Sequence, residues 1–119
     1  MGEENHDPNL LINLCKDKIF KFECTVENEK IKLALREINN NSPDYYEAYY
    51  TLEDFYNMKD FFKTYSNLNE IQQNLLALFK SGRAKLVSSE NGAKIELLFK
   101  VVVLADDVIF VFCLDKKKV

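Results

Sequence analysis

The chain predicts an α+β fold: an antiparallel β-sandwich or half-barrel with a helix pair inserted before the last three strands, in the order βββ-αα-βββ. Three observations predict it. Apolar and polar residues alternate with a period of two on both sides of the middle of the chain. Between Thr51 and Gly82 the apolar spacing changes to three and four, and each of the two segments opens on a capping residue. Turn-forming residues separate consecutive strands, which favours antiparallel pairing of neighbours.

The elements follow in order. Residues 1–9 are polar, contain Pro8, and read as a disordered lead-in to a single globular domain over residues 10–119. Leu10, Leu11, Leu14 and Cys15 form a short apolar patch that suits an extra strand or one helical turn. Phe20, Phe22, Cys24 and Val26 alternate with Lys21, Glu23 and Thr25, as in a half-buried strand. A polar turn over Glu27-Asn28-Glu29-Lys30 leads to a second strand with Ile31, Leu33 and Leu35 on one face and Lys32 and Arg36 on the other. Asn39 to Asp44 is a loop by composition, and Tyr45 to Tyr50 is a third strand with aromatics on both faces.

Thr51 caps the first helix, with Asp54 three residues on as the partner of a capping box. Leu52, Phe55, Met58 and Phe62 continue as one apolar stripe until Lys63–Ser66 breaks it. Asn67 caps the second helix, whose buried face carries Leu68, Ile71, Leu75, Leu78 and Phe79. Gly82 stands where a helix-ending glycine is expected. Helices joined this closely are expected to pack as an antiparallel or crossed pair. Arg83–Ser88, Ala93–Val103 and Val108–Leu114 are the last three strands. Asn91-Gly92 is a strong signal for a tight hairpin, and Leu104-Ala105-Asp106-Asp107 breaks the final one.

Composition excludes several function classes. A hydrophobic share of 47% and a charged share of 29% are those of a folded globular domain. A net charge of −3 with only Arg36 and Arg83 as arginines argues against nucleic-acid binding, which needs a basic stripe. Neither a signal-peptide core nor an apolar run of about 18 residues appears, and a cytoplasmic location is expected. Cys15, Cys24 and Cys113 match no zinc or redox spacing and read as small buried hydrophobes in a reducing compartment. His6, the only histidine, lies in the polar lead-in, so neither a Ser/His nor a Cys/His nucleophile system is available. The pairs Glu53-Asp54 and Asp106-Asp107 are explained by a helix N-terminus and by turn chemistry. The three glycines belong to no phosphate-binding loop. No catalytic residue, metal ligand or cofactor is assigned.

Two features suit protein partners. Tyr45, Tyr46, Tyr49 and Tyr50 lack interleaved basic residues, so a strand packed on both faces explains them better than base stacking. Leu104 is an apolar residue at a hairpin tip. It is either the last inward-facing strand residue or a knob that enters a partner's pocket.

The segment Thr51-Leu52-Glu53-Asp54-Phe55 with Met58-Lys59 resembles the S-E-E-D-F-x-x-L-K helix of the centriolar cartwheel family, spindle assembly abnormal protein 6. The head domain of that family shares a superfamily with DNA end-joining repair scaffolds. The likeness runs loosely from Phe20 to Leu114. It implies a seven-stranded sandwich-like head, not an enzyme, that pairs weakly with a second copy through its last hairpin. On this chain the implied oligomer interface is Leu104, Ala105 and Asp106. Leu104 is smaller than the bulky tip residue expected in cartwheel heads. The implied partners are a second copy and other cytoskeletal or centriolar proteins, with neither nucleic acid nor membrane, at the centriole or cytoskeleton. A repair scaffold head that binds protein partners, or a small-ligand-binding βα domain, are the alternatives.

Overall fold

The computed structural model describes residues 8–15, 18–38, 41, 43–89 and 91–117. The fold is α+β. Seven strands form one antiparallel sheet: β1 Leu11–Cys15, β2 Lys18–Glu27, β3 Lys30–Glu37, β4 Tyr45–Thr51, β5 Ala84–Ser88, β6 Lys94–Val103 and β7 Asp106–Lys117. Their order in the sheet is β1-β2-β3-β4-β7-β6-β5. The edge strands β1 and β5 come back beside each other, so the sheet is nearly closed. Two helices, α1 Leu52–Met58 and α2 Leu68–Lys80, stand between β4 and β5. None of the described helices is long and apolar enough to cross a membrane.

The apolar patch at Leu10 resolves into both of its alternatives. Pro8–Leu10 is a 3-10 helix and the strand β1 follows at once. The lead-in expected over residues 1–9 falls, apart from Pro8 and Asn9, outside the described residues.

Alternation decides which face each strand buries. Phe20, Phe22, Ile31, Leu33, Leu35, Ile95, Leu97, Phe99, Phe110, Phe112 and Leu114 all point into one core. α2 closes that core with Ile71, Leu75 and Phe79. The Phe79 ring stacks on Phe22 at 4.3 Å between centroids. Phe55 and Phe62 enter from the α1 side and meet Phe112 and Phe110 edge-on.

Both helix starts form as their sequences require. The Thr51 hydroxyl accepts from the Asp54 N–H at 3.1 Å, and the Asp54 carboxylate accepts from the Thr51 N–H at 2.8 Å. The Asn67 side chain accepts from the Glu70 N–H at 3.0 Å. Gly82, at φ 77°, ends α2 in the left-handed region that glycine tolerates, and the Arg83 N–H donates back to the Leu78 carbonyl.

Four expectations need correction. The stripe from Leu52 to Phe62 is not one helix. Lys59 is extended (φ −153°, ψ 139°), and Asp60–Thr64 restarts as a 3-10 helix. The break turns two consecutive rings onto β7: Phe61 stacks on Phe110 at 5.6 Å, and Phe62 lies 4.8 Å from the same ring. The helices also serve different parts of the sheet instead of packing chiefly on each other. α1 lies against β4 and the 3-10 helix, and α2 against β2, β3 and β6. Asn91-Gly92 does not make a two-residue hairpin. It sits in a wider loop closed by the Ser89 N–H on the Lys94 carbonyl, with the Asn91 side chain accepting from the Ala93 N–H. Finally, Cys113 is exposed while Cys24 is buried. The run Val108–Leu114 is apolar on both faces, so only the register separates them. The side chain of Cys15 lies outside the described residues.

At one end of the sheet Asp44 joins three segments. Its carboxylate lies 2.6 Å from Lys18 Nζ and 3.2 Å from Lys116 Nζ. The Lys18 hydrogen bond holds the carboxyl below its ordinary range. The Tyr46 hydroxyl donates to the Gly92 carbonyl at 2.6 Å beside this cluster.

Burial pushes the Cys24 thiol from 9.0 up to about 12. Burial also raises Tyr46 and Tyr50. In all three the unfolded chain gives up its proton first. The stability tied to Cys24 is therefore complete below pH 9.0 and is lost as pH rises through about 12. Urea unfolding from about pH 8 to about pH 11 should show stability falling with pH, and Cys24→Ala should remove about one proton's share of the slope, roughly 1.4 kcal/mol per pH unit. An unchanged slope in that variant would refute the assignment to Cys24.

Candidate functional site

The last hairpin carries the residues that the sequence singles out. β6 and β7 pair in register from Lys94↔Asp115 to Val103↔Asp106, so only Leu104 and Ala105 remain to make the turn. Asp106 and Asp107 open β7 and belong to the ladder, where turn residues were expected. Lys100 reaches Asp107 at 3.4 Å along the hairpin.

A two-residue hairpin turn of type I′, one of the two kinds that match the twist of antiparallel strands, has positive φ at both positions. Leu104 and Ala105 supply it at φ 51° and 71°. The favoured residues there are Asn and Gly; an L-residue with a Cβ carries on the order of 1–2 kcal/mol of strain in this region. The β2–β3 turn has the same geometry at Asn28 and Glu29, with φ 51° and 60°, and there the first residue is the tolerant Asn.

Leu104 is 94% exposed, so it is not the last inward-facing strand residue. Ala105 and Asp106 are exposed beside it. The apolar surface continues from the tip along the outer face of the hairpin. Val102 is 56% exposed, Ile109 47% and Val111 38%. Scattered surface apolar residues are ordinary; these share one face of the hairpin with the Lys100–Asp107 ion pair, which stands between Val102 and Ile109.

A groove of about 500 Å³ lies on the same outer face, further down the hairpin. Leu98 and Ile109 line it together with Arg83, Lys85 and Lys100, while Phe99, whose ring is buried in the core, borders it from beneath. Pairing explains the assembly. Lys85 faces Leu98 across β5 and β6, and Lys100 faces Ile109 across β6 and β7. Arg83 arrives from the end of α2, where its carbonyl accepts from the Lys100 N–H at 3.0 Å.

The hairpin thus presents two complementary features: an apolar tip flanked by Asp106 and Asp107, and a groove lined by Leu98, Ile109 and three cations. The tip was legible as a turn. The groove was not, because Arg83 and Lys85 come together with Lys100 and Ile109 only through strand register.

The tyrosines of β4 serve mainly as structure. Tyr46 and Tyr50 bond to backbone across the sheet. Tyr45 lies under the Arg36 guanidinium at 4.4 Å on the outer face. Tyr49 alone of the four is well exposed. Comparison with protein-family models, with curated proteins and with solved structures gives no match for this chain.

Proposed function

We propose that this domain is a non-enzymatic self-assembly head that associates weakly with a second copy through its last hairpin. The observation that carries the reading is Leu104: a large apolar side chain, almost wholly in solvent, at a strained turn position where folding alone favours Asn. The groove is the receptor for that tip. Leu104 enters between Leu98 and Ile109 of the second copy, and Asp106 and Asp107 meet Arg83, Lys85 and Lys100. The resemblance to centriolar cartwheel heads supports the same use of the hairpin and a setting in cytoskeletal or centriolar assembly.

Magnitudes make the association weak. Burying one leucine contributes about 1.5–3 kcal/mol, while association costs about 4–15 kcal/mol in lost freedom. Two reciprocal tips contribute about 3–6 kcal/mol together, which only matches the low end of that cost, so the dissociation constant is no tighter than about millimolar. Sedimentation over a wide concentration range should show a monomer–dimer equilibrium that Leu104→Glu abolishes. A strict monomer at every concentration, or an unchanged equilibrium in the variant, would reject the proposal.

A further inference from the structure

We infer that the edge of β7 opposite β6 is a docking site for an extended segment of a partner protein with an apolar centre and basic flanks. The observation is an interruption in the sheet. β4 and β7 pair at only three positions, Tyr45↔Lys117, Tyr46↔Lys116 and Glu47↔Asp115. Continued in that register, Tyr49 would face Cys113, but the ladder stops. The Tyr50 side chain reaches across instead. Its hydroxyl donates to the Cys113 carbonyl and accepts from the Cys113 N–H, both at 3.1 Å. Its ring wedges against Phe112 and Phe55, at 5.3 and 5.8 Å.

Those two bonds fix the direction of the remaining backbone groups. The Cys113 N–H and C=O face away from β6. On the other side of the strand, the Lys116 N–H donates to the Ala93 carbonyl, next to β6. Backbone groups alternate sides along a strand. Phe110, Phe112 and Leu114 therefore bond to β6, while Val111 and Ile109 turn their N–H and C=O groups the way Cys113 does. No strand among the described residues pairs with them there.

Polar backbone groups in strand geometry take water or another strand. Addition of an extended peptide to such an edge uses these groups for affinity and alternate side chains for selectivity. Beside this edge the outward side chains are Ile109, Val111 and Tyr49, all exposed. Behind it stand Phe61 and Phe62, packed on Phe110. The centre is therefore apolar on both faces. Around it α1, the 3-10 helix and the start of β7 carry Glu53, Asp54, Asp60, Asp106 and Asp107 against Lys59, Lys63 and, facing Ile109 from β6, Lys100; Lys63 pairs with Asp60 and Lys100 with Asp107. The remaining acidic excess, Glu53, Asp54 and Asp106 against Lys59, favours Lys or Arg flanks in the partner.

The test uses amide hydrogen exchange by NMR on the whole domain, with the blocked peptide Lys-Lys-Val-Thr-Val-Thr-Val-Lys-Lys as probe. In the free protein the amides of Ile109 and Val111 should exchange fast and those of Phe110 and Phe112 slowly. Millimolar peptide should slow Ile109 and Val111 about tenfold or more. The same peptide N-methylated through its Val-Thr stretch should have no effect, and Leu104→Glu should leave the protection unchanged, separating this site from self-association. Slow exchange at Ile109 and Val111 in the free protein would overturn the inference, because the edge would already be paired. So would an absence of protection by the peptide, or equal protection by a Glu-flanked version. Protection that grows with concentration of the Leu104→Glu protein alone would assign the edge to a second copy and overturn the partner peptide.

Discussion

Exchanging Leu104-Ala105 for Asn-Gly will stabilise the domain and remove the self-association proposed for it. The two effects arise on different links of the chain from sequence to function. The native pair holds φ 51° and 71° with Cβ atoms in place. Asn tolerates that region and Gly enters it freely, so relief of strain is worth about 1–2 kcal/mol. For a domain of this size the thermal midpoint should rise by about 4–8 °C. Solvation changes the balance little, since the replaced leucine is 94% exposed in the folded state and exposed in the unfolded chain as well. The same exchange removes the only large apolar side chain at the tip. Calorimetry and sedimentation on one preparation separate the two outcomes. A lower midpoint would show that the turn is not strained. An unchanged dimer fraction would show that the tip is not used. A more stable protein that no longer associates is a signature that a merely structural leucine does not give.

Phe62→Ala will have the largest effect on stability. Phe62 is completely buried. Its ring lies 5.0 Å from Phe55, 4.8 Å from Phe110 and 5.4 Å from Phe61. Truncation removes the shared member of three edge-on pairs and leaves a void between the 3-10 helix and β7. Such substitutions cost about 3–5 kcal/mol, against a total stability of about 5–15 kcal/mol for an ordinary domain. Urea unfolding should therefore show the midpoint collapsing. Phe61→Ala, at a half-buried ring on the rim of the same cluster, should cost distinctly less. Equal losses in the two variants would contradict the account of why the chain breaks at Lys59.

That break illustrates what the sequence hides. Leu52, Phe55, Met58 and Phe62 have a spacing that a single helix satisfies, so local pattern favours continuity. The competing demand comes from β7, almost fifty residues later, which takes both Phe61 and Phe62 against Phe110. No window around Lys59 contains that information. The caps at Thr51 and Asn67 were legible because their partners, Asp54 and Glu70, lie three residues away. The strands were legible wherever one face is polar. Val108–Leu114 has no polar face, so the exposure of Ile109, Val111 and Cys113 emerged only with the register. The same holds for the candidate surfaces. The Leu104 tip is a local turn, while the groove and the open edge of β7 are made by pairing.

The clamp at Asp44 and the long β6–β7 ladder also determine how the domain carries load. β7 lies between β6, which pairs with it over most of its length, and β4, which holds its last residues. A pull on Lys117 along the strand axis therefore strains the whole row of cross-strand bonds at once. Peeling, which would break them one after another, requires a pull across the sheet. The ion pairs Lys94–Asp115, at 2.6 Å, and Lys116–Asp44, at 3.2 Å, fasten the loaded end on both sides. The domain is thus mechanically anisotropic: resistant to tension along β7, and easily unzipped by force applied across it.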